Sequence, residues 1–465
     1  MFKAFANIFK IPELRTKLLF TFGMLAIYRI GYWIPLPGVD QQAIADLTRN
    51  ISTNTDSAAA NAVSMVAMMS GGSLSNATVF GLGIMPYITA AIIFQLLGSA
   101  IPRIKEIQQE GPTGQQKIQE WTRYATLGVA LLQSFFYLQL MYRQSIIEVS
   151  WMGNPMWWIM AVGVLTAGAM FLMWLGEQID RHGIGSGASL IITASILTGI
   201  PGALNTLRQS FDQSNPDSIH VSGLLILFAG FVTVTAGAVL LTVAQRRVPI
   251  QQAKHMRGRL QVGGQKSYLP LRVNHAGVMP IIFASALMTI PSVLFEQLGT
   301  LAATSDSWFS SIVGFINRSF SPATVAFPYV LAYIVLVFFF SYFWITVQFS
   351  PEDISKQLRD SGSFIPGLRP GPRTAEYIDT VMSRITYCGA GILAVMAILP
   401  SIVAAGFNIP FLVTQFLGGT GLLIVVSVTL DFIQRIEAAL MMRNYGGFLS
   451  GEDTNAKKRI RGPRG

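Results

Sequence analysis

The stretch GGSLSNATVFGLGIMPYITAAIIFQLLG, residues 71–98, decides how this chain is read. It opens on small and polar residues, Gly71, Gly72, Ser73, Ser75 and Asn76, and runs into an apolar span interrupted by Gly81, Gly83 and Pro86. Such residues loosen or kink a helix in lipid, so a plain membrane anchor is a poor account of the span. On a helix Ile84 and Ile88 stack on one face, and Gln95 falls on about the same stripe. An aliphatic face ending in an amide suits the wall of a narrow passage. A helix–helix seam with small residues at the contact is the plainer alternative.

Outside this stretch the composition is that of a chain dissolved in lipid. Of 465 residues 51% are hydrophobic and 12% charged, with a mean hydropathy of +0.49, whereas soluble domains carry about 25% charged residues. Ten apolar runs have the length that crosses a hydrocarbon core, at 18–34, 78–100, 124–141, 157–175, 188–204, 221–243, 278–295, 327–349, 385–407 and 411–433. The expected fold is therefore an all-α polytopic membrane protein of ten transmembrane helices. The first run is not expected to be a cleaved signal, because it is long, is interrupted by Arg29 and exits through Pro35 and Pro37. The single Cys388 lies in an apolar run, which excludes a disulfide framework.

Lysine and arginine set the orientation. With the N-terminus inside, the segments 1–17, 99–123, 176–183, 244–275, 348–384 and 435–465 hold 28 of the 33 basic residues, against four outside: Arg49, Arg143, Arg208 and Arg318. Both termini are then cytoplasmic, and the net charge of +10 follows from topology without a nucleic-acid partner.

Several loops carry more than connection requires. The patch Val63, Ser64, Met65, Val66, Ala67, Met68 and Met69 is uncharged and too short to span; it reads either as a short helix tucked back into the membrane or as one lying on the outer surface. Residues 244–275 hold seven basic residues and no acidic one, with Gly258, Gly263, Gly264 and Pro270 spacing them, which points to an extended basic finger or hairpin. In the second loop Pro366, Gly367, Pro370, Gly371 and Pro372 surround Arg369 and pin it at a rigid turn. Lipid headgroup contact is the alternative role for both loops. Gly183, Gly185 and Ala188 match a relaxed dinucleotide fingerprint, but the soluble βαβ unit it needs is missing, so they read as a tight helix entry. The seventh run is broken by Pro280 and Pro291 and the tenth begins with Gly418, Gly419 and Gly421; two interrupted spans are the usual pointer to an internal pathway.

The chemistry of carriers and enzymes is thin. Ionisable residues in or near the spans, Arg29, Glu296, Asp431 and Glu437, lie near span ends, whereas coupled carriers hold a charge near the midplane. The histidines, His182, His220, His255 and His275, are scattered, so neither a metal site nor a cofactor is expected. These absences weaken a secondary transporter of a small solute, the alternative that the two interrupted spans suggest, and leave an enzyme without its residues.

The motifs YRIGYWIPLPGVD (28–40), SGGSLSNATVFGLGIMPYITAAIIFQLL (70–97), EGPTGQQKIQEWTRYATL (110–127), GEQIDRHGIGSGASLII (176–192), LPLRVNHAGVMPIIFAS (269–285), SGSFIPGLRPGPRTAEYID (361–379) and FLGGTGLLIVVSVTLD (416–431) follow one another along the whole chain. Together they closely resemble the SecY/Sec61-alpha family, channel subunits of the Sec protein translocase. The resemblance implies two pseudo-symmetric five-helix halves around a pore: a cytoplasmic segment 1–17, an N-terminal half 18–204, an external hinge loop 205–220, a C-terminal half 221–443 with cytoplasmic loops 244–275 and 348–384, and a basic tail 444–465. It implies a ring of Ile84, Ile88, Ile192, Ile282 and Ile424, with Ala188 as a departure from the aliphatic pattern. It also implies a plug at about 61–71, comprising Asn61, Val63, Met65, Val66, Met68, Met69 and Gly71, and a polar gate contact among Gln95, Ser186 and Thr420, where many relatives carry Asn in place of Ser186. Lys254, Arg257, Arg259 and Arg369 are implied to dock cytosolic partners. The partners implied are the SecE and SecG subunits, the SecA ATPase, the ribosome, SecDF and YidC, with signal peptides and nascent chains as substrate and membrane lipids around them. The place implied is the bacterial cytoplasmic (inner) membrane, with energy from SecA, the ribosome or the proton-motive force.

Overall fold

A computed structural model of the chain describes residues 11–40, 42, 77–143, 147–148, 151, 153–209, 221–252, 255–257, 260–262, 266–275, 277, 279–288, 315–316, 319, 326–406, 413 and 419–449. Its helices are α1 (Pro12–Gly31), α2 (Met85–Ala100), α3 (Pro102–Gln109), α4 (Pro112–Arg143), α5 (Pro155–His182), α6 (Gly187–Gln209), α7 (Val221–Val243), α8 (Met279–Met288), α9 (Phe327–Gln348), α10 (Pro351–Asp360), α11 (Pro372–Gly406) and α12 (Thr420–Leu449). Among the described residues five helical stretches are long and apolar enough to cross a membrane, Pro155–His182, Gly187–Asn205, Val221–Val243, Phe327–Asp360 and Pro372–Pro400, and two shorter apolar ones are Met85–Gly98 and Met279–Met288. The expected runs 18–34, 124–141 and 411–433 fall on α1, α4 and α12. The plug residues and parts of the hinge loop, basic tail and seventh run lie outside the described residues.

The broken span behaves differently from a kinked helix. Residues 77–84 form turns, and the helix starts at Met85 with Pro86 in its first turn, where a missing N–H costs no hydrogen bond. Ile84 is the N-cap residue; its carbonyl accepts the Ile88 N–H at 3.2 Å. The turn segment is stitched to the end of α1, with Leu36 N–H donating to the Ala77 carbonyl at 2.8 Å and Val79 N–H to the Ile34 carbonyl at 3.1 Å. Irregular backbone at membrane depth survives only when buried in protein, and Ala77, Phe80 and Leu82 are buried here. Glycines on the flanking helices make room: a Cβ at Gly31 would lie 1.8 Å from the Phe80 ring, and one at Gly168 would lie 2.2 Å from the Val79 carbonyl oxygen.

In the first part of the chain α1 packs on α5, α2 on α4 and α5, and α5 on α6; in the second, α9 packs on α11 and α7 on both α11 and α12, while α6 meets α12. One apolar cluster runs through α1, α2, α5, α6, α7, α8, α9, α11 and α12. A second lies around Leu36, Leu138, Leu165 and Trp157, whose indole N–H donates to the Pro37 carbonyl at 3.0 Å.

The chain is mostly helical rather than wholly so, because the loop after α7 folds as β structure. Strands β1 (Gln245–Gln252) and β4 (Lys266–Arg272) pair antiparallel, and β2 (His255–Arg257) pairs with β3 (Leu260–Val262) beyond them, which matches the expected finger. The two-residue strand β5 (Ser363–Phe364), from the second loop, adds to the same sheet through Gln251 and Gln252 in the order β4-β1-β5. Pro249 opposes Tyr268 and Pro270 opposes Arg247. An antiparallel ladder alternates bonded and unbonded pairs, and both prolines fall in the same class, so each missing N–H faces away from the partner strand. Val248 and Leu271 then pack with Ile345, Ile365, Ile378, Val381 and Met382 in a small core beneath both loops.

Replacing Gly168 by Ala forces a methyl group against the Val79 backbone. The expected cost is about 1–3 kcal/mol of stability, read as a lowered unfolding midpoint in detergent, with Gly163→Ala, which meets nothing within 4 Å, as the neutral control.

Candidate functional site

The residues expected at the collar come from four separated elements. Ile84 caps α2 and Ile88 follows one turn later, Ile282 lies early in α8, Ile424 lies one turn into α12, and Ala188 and Ile192 open α6. Ile84, Ile88, Ile282 and Ile424 are 3%, 6%, 3% and 5% exposed, and Ile192 and Ala188 are partly buried against the same apolar cluster. No ionisable side chain belongs to that set. Carbon surfaces of this kind exclude water and ions, yet they offer no fixed partner to a polar chain moving past them.

The expected polar contact is spread over three helices. Gln95 is half-buried on α2, Ser186 precedes α6 and accepts a hydrogen bond from the Ser189 hydroxyl at 3.3 Å, and the half-buried Thr420 starts α12. Of the docking residues, Lys254 and Arg259 lie outside the described residues, and Arg257 ends β2 at the far end of the finger from the membrane helices. Arg369 is exposed. Its turn is fixed as the prolines and glycines imply: Leu368 N–H donates to the Ile365 carbonyl at 3.0 Å, the Thr374 hydroxyl to the Arg369 carbonyl at 2.9 Å, and the Ser355 hydroxyl to the Gly371 carbonyl at 2.8 Å. Gly367 and Gly371 take φ of 86° and 131°, a region that disfavours side chains.

Three polar arrangements escaped the sequence reading. Arg123 of α4 forms a bidentate pair with Glu177 of α5, its Nε and Nη2 at 2.8 and 2.5 Å from the two carboxylate oxygens. The signal was available, since the two residues bound adjacent apolar runs at the same end with opposite charge. Asp180 accepts the Gly187 N–H at 2.7 Å across the α5–α6 turn. Between α1 and α6, the buried Tyr28 hydroxyl bonds Ser195 Oγ and donates to the Tyr32 hydroxyl at 2.9 Å, a pairing that spacing alone does not reveal. Of the ionisable residues at span ends, Arg29 lies 5.8 Å over the Tyr32 ring and Asp431 pairs with Arg435 at 2.8 Å.

A family model described as SecY matches residues 78–433. The protein translocase subunit SecY of Chlamydia trachomatis is 38% identical over 458 residues, covering 95% of this chain and 97% of that protein. Its counterpart in Corynebacterium glutamicum is 40% identical over 456 residues, covering 96% and 99%. Among solved structures, a protein-conducting channel superposes with a TM-score of 0.60 at 18% identity, covering 97% of this chain and 99% of that one. Sec61 from a canine ribosome–channel complex of the endoplasmic reticulum superposes with a TM-score of 0.57 at 17% identity, with the same coverage. At such identities the structural likeness speaks for the fold.

His275, at the end of the first cytoplasmic loop, sets its ring edge-on to Phe349 at the start of the second, at 5.5 Å. Burial, and then the Arg272 charge, hold its imidazole below the ordinary value, which is about 6.5. The native state thus favours the neutral ring, so its contribution is present above about pH 6.5 and is lost as pH falls toward the lower native value. Hydrogen exchange over 266–275, corrected for intrinsic rates, should be faster at about pH 5.5 than at about pH 7.5, and His275→Phe should remove the difference.

Proposed function

The chain belongs to the SecY family and is a channel subunit of the Sec translocon, and we propose that polypeptides cross it through a collar formed by Ile84, Ile88, Ile192, Ile282 and Ile424, with Ala188 beside them. The observation that carries this reading is the burial of branched aliphatic side chains from four separated elements in one apolar cluster. A collar of that kind seals by close packing and dewetting rather than by charge. Its contacts are weak and non-directional, so a passing unfolded chain displaces them without having to be matched residue by residue.

In this reading the chain lies in a bacterial cytoplasmic membrane with both termini inside, as ten spans in two five-helix halves. Residues 61–71 supply a plug on the outer side, and Gln95, Ser186 and Thr420 form a polar latch. Parting of α2 and α4 from α8 and α9 exposes a segment in the pore to lipid. Sorting then follows transfer energy, Leu or Ile contributing about −0.3 to −0.6 kcal/mol at a helix centre against about +2.5 to +3.5 for Arg or Asp. About twenty apolar residues therefore leave sideways, while polar segments continue across.

The two loops joined by β5 present the basic finger and Arg369 on one platform. That platform suits the SecA ATPase and the ribosome: Arg and Lys bind RNA phosphate without regard to sequence, and the rigid Arg369 turn suits a defined protein contact. SecE and SecG, with SecDF and YidC, complete the assembly within the membrane, and SecA, the ribosome or the proton-motive force supplies the energy.

Ile84→Ser, Ile88→Ser and Ile282→Ser combined should raise ion leak through the resting channel in vesicles, and unchanged conductance would place the seal elsewhere. Arg369→Glu should reduce SecA-driven secretion to background while the protein still assembles in the membrane, and normal secretion by that variant refutes the docking role.

A further inference from the structure

Helix α6 starts at Gly187, one residue before Ala188 and five before Ile192. Two contacts fix that start. The Gly187 N–H donates to Asp180 Oδ1 at 2.7 Å, and a Cβ on Gly187 would lie 2.1 Å from the Gly176 carbonyl oxygen. Helices α5 and α6 therefore meet backbone to backbone, with the Asp180 carboxylate bridging the turn between them. Gly187 is buried, whereas Asp180 is exposed at the end of α5. The same turn is gripped from other sides. The Ile184 N–H donates to Thr21 Oγ1 of α1 at 3.1 Å, and Ile184 is buried with Leu14 and Leu18 of α1 and Ile436 of α12. Phe432 of α12 lies 3.3 Å from where a Gly185 Cβ would stand. The turn thus touches α12, the helix that carries Ile424.

We propose that Asp180 is a positioning residue for the collar: by capping α6 through the Gly187 N–H, it sets the depth and rotation at which Ala188 and Ile192 face the pore. The proposal rests on the collar reading above. The first N–H groups of a helix have no intrahelical partner, and one in a buried turn loses heavily if its acceptor is removed. The positive end of α6 also favours a carboxylate over a neutral acceptor. A slip of one residue rotates a helix by about 100° and shifts it by about 1.5 Å, which is enough to turn Ile192 off the collar. Alanine at 188 leaves little side chain on this side to absorb such a shift, so closure depends on how α6 is held. The charge of Arg435 on α12, which pairs with Asp431, also favours the ionised Asp180.

The test uses the full chain in lipid vesicles, as parent, Asp180→Ala, Asp180→Asn and Asp180→Ser, with the triple serine collar variant as positive control. Two quantities are read: hydrogen exchange at amides 187–190 and leak of a small anion through the resting channel. Asp180→Ala should raise both, the leak by about fivefold, the population change that loss of a helix cap produces. Asn keeps an acceptor oxygen at the same reach and should bring both values most of the way back to the parent, whereas Ser, one atom shorter, should behave like Ala. Leak from Asp180→Asn equal to that from Asp180→Ala overturns the proposal, and so does a sealed Asp180→Ala in an assay where the triple serine variant leaks; in either case the collar reading stands. A triple variant that seals overturns the collar and this proposal together. Should Asp180→Ala fail to assemble, Gly187→Ala displaces α6 against the Gly176 carbonyl with the acceptor intact, and a sealed channel in that variant refutes the proposal.

Discussion

Backbone that is not helical cannot face hydrocarbon, and the structure depends on how this chain meets that rule at 77–84. The segment exchanges hydrogen bonds with the exit of α1, and Gly31 and Gly168 let Phe80 and the Val79 carbonyl come within reach of two helices. Polar satisfaction and close packing are thus solved together. What results is a fixed entry for α2, with Ile84 at its cap and Ile88 one turn inside. An unbroken helix through the same residues would need no glycine and would place neither isoleucine at a helix start.

The same economy appears at the turn between α5 and α6. Short reversals between membrane helices leave N–H groups without a helical partner, and in this turn, where Ile184 and Gly187 are buried, a carboxylate from α5 and a hydroxyl from α1 take two of them. The glycine contact between Gly176 and Gly187 removes the side chains that would otherwise hold the helices apart. Apolar packing gives these helices contact area, while the few polar bonds fix their relative height and rotation.

Much of this was legible in the residues, and the failures have physical causes. The apolar runs located helices because length and hydropathy are local properties, and Gly81, Gly83 and Pro86 marked the break before α2. The break was read as a kink within a span because one sequence does not reveal that residues 34–36 would pair with 77–79. The basic loop was legible as a finger from its glycines and prolines, but not its union with Ser363 and Phe364, which brings together strands more than a hundred residues apart. Arg369 was correctly placed at a rigid turn because the turn is written in adjacent prolines and glycines. Asp180 was overlooked because a capping carboxylate beyond the end of an apolar run looks like any solvated charge.

Pro249 and Pro270 carry a further meaning. Each stands where a strand added to the sheet would look for an N–H, one on the outer edge of β4 and one on the part of β1 that β5 leaves uncovered. A platform that works beside unfolded chains meets sticky extended segments continually, and an open ladder would recruit them into aggregates. With a missing donor on either rim, the finger remains a surface for folded visitors and a poor seed for stray strands.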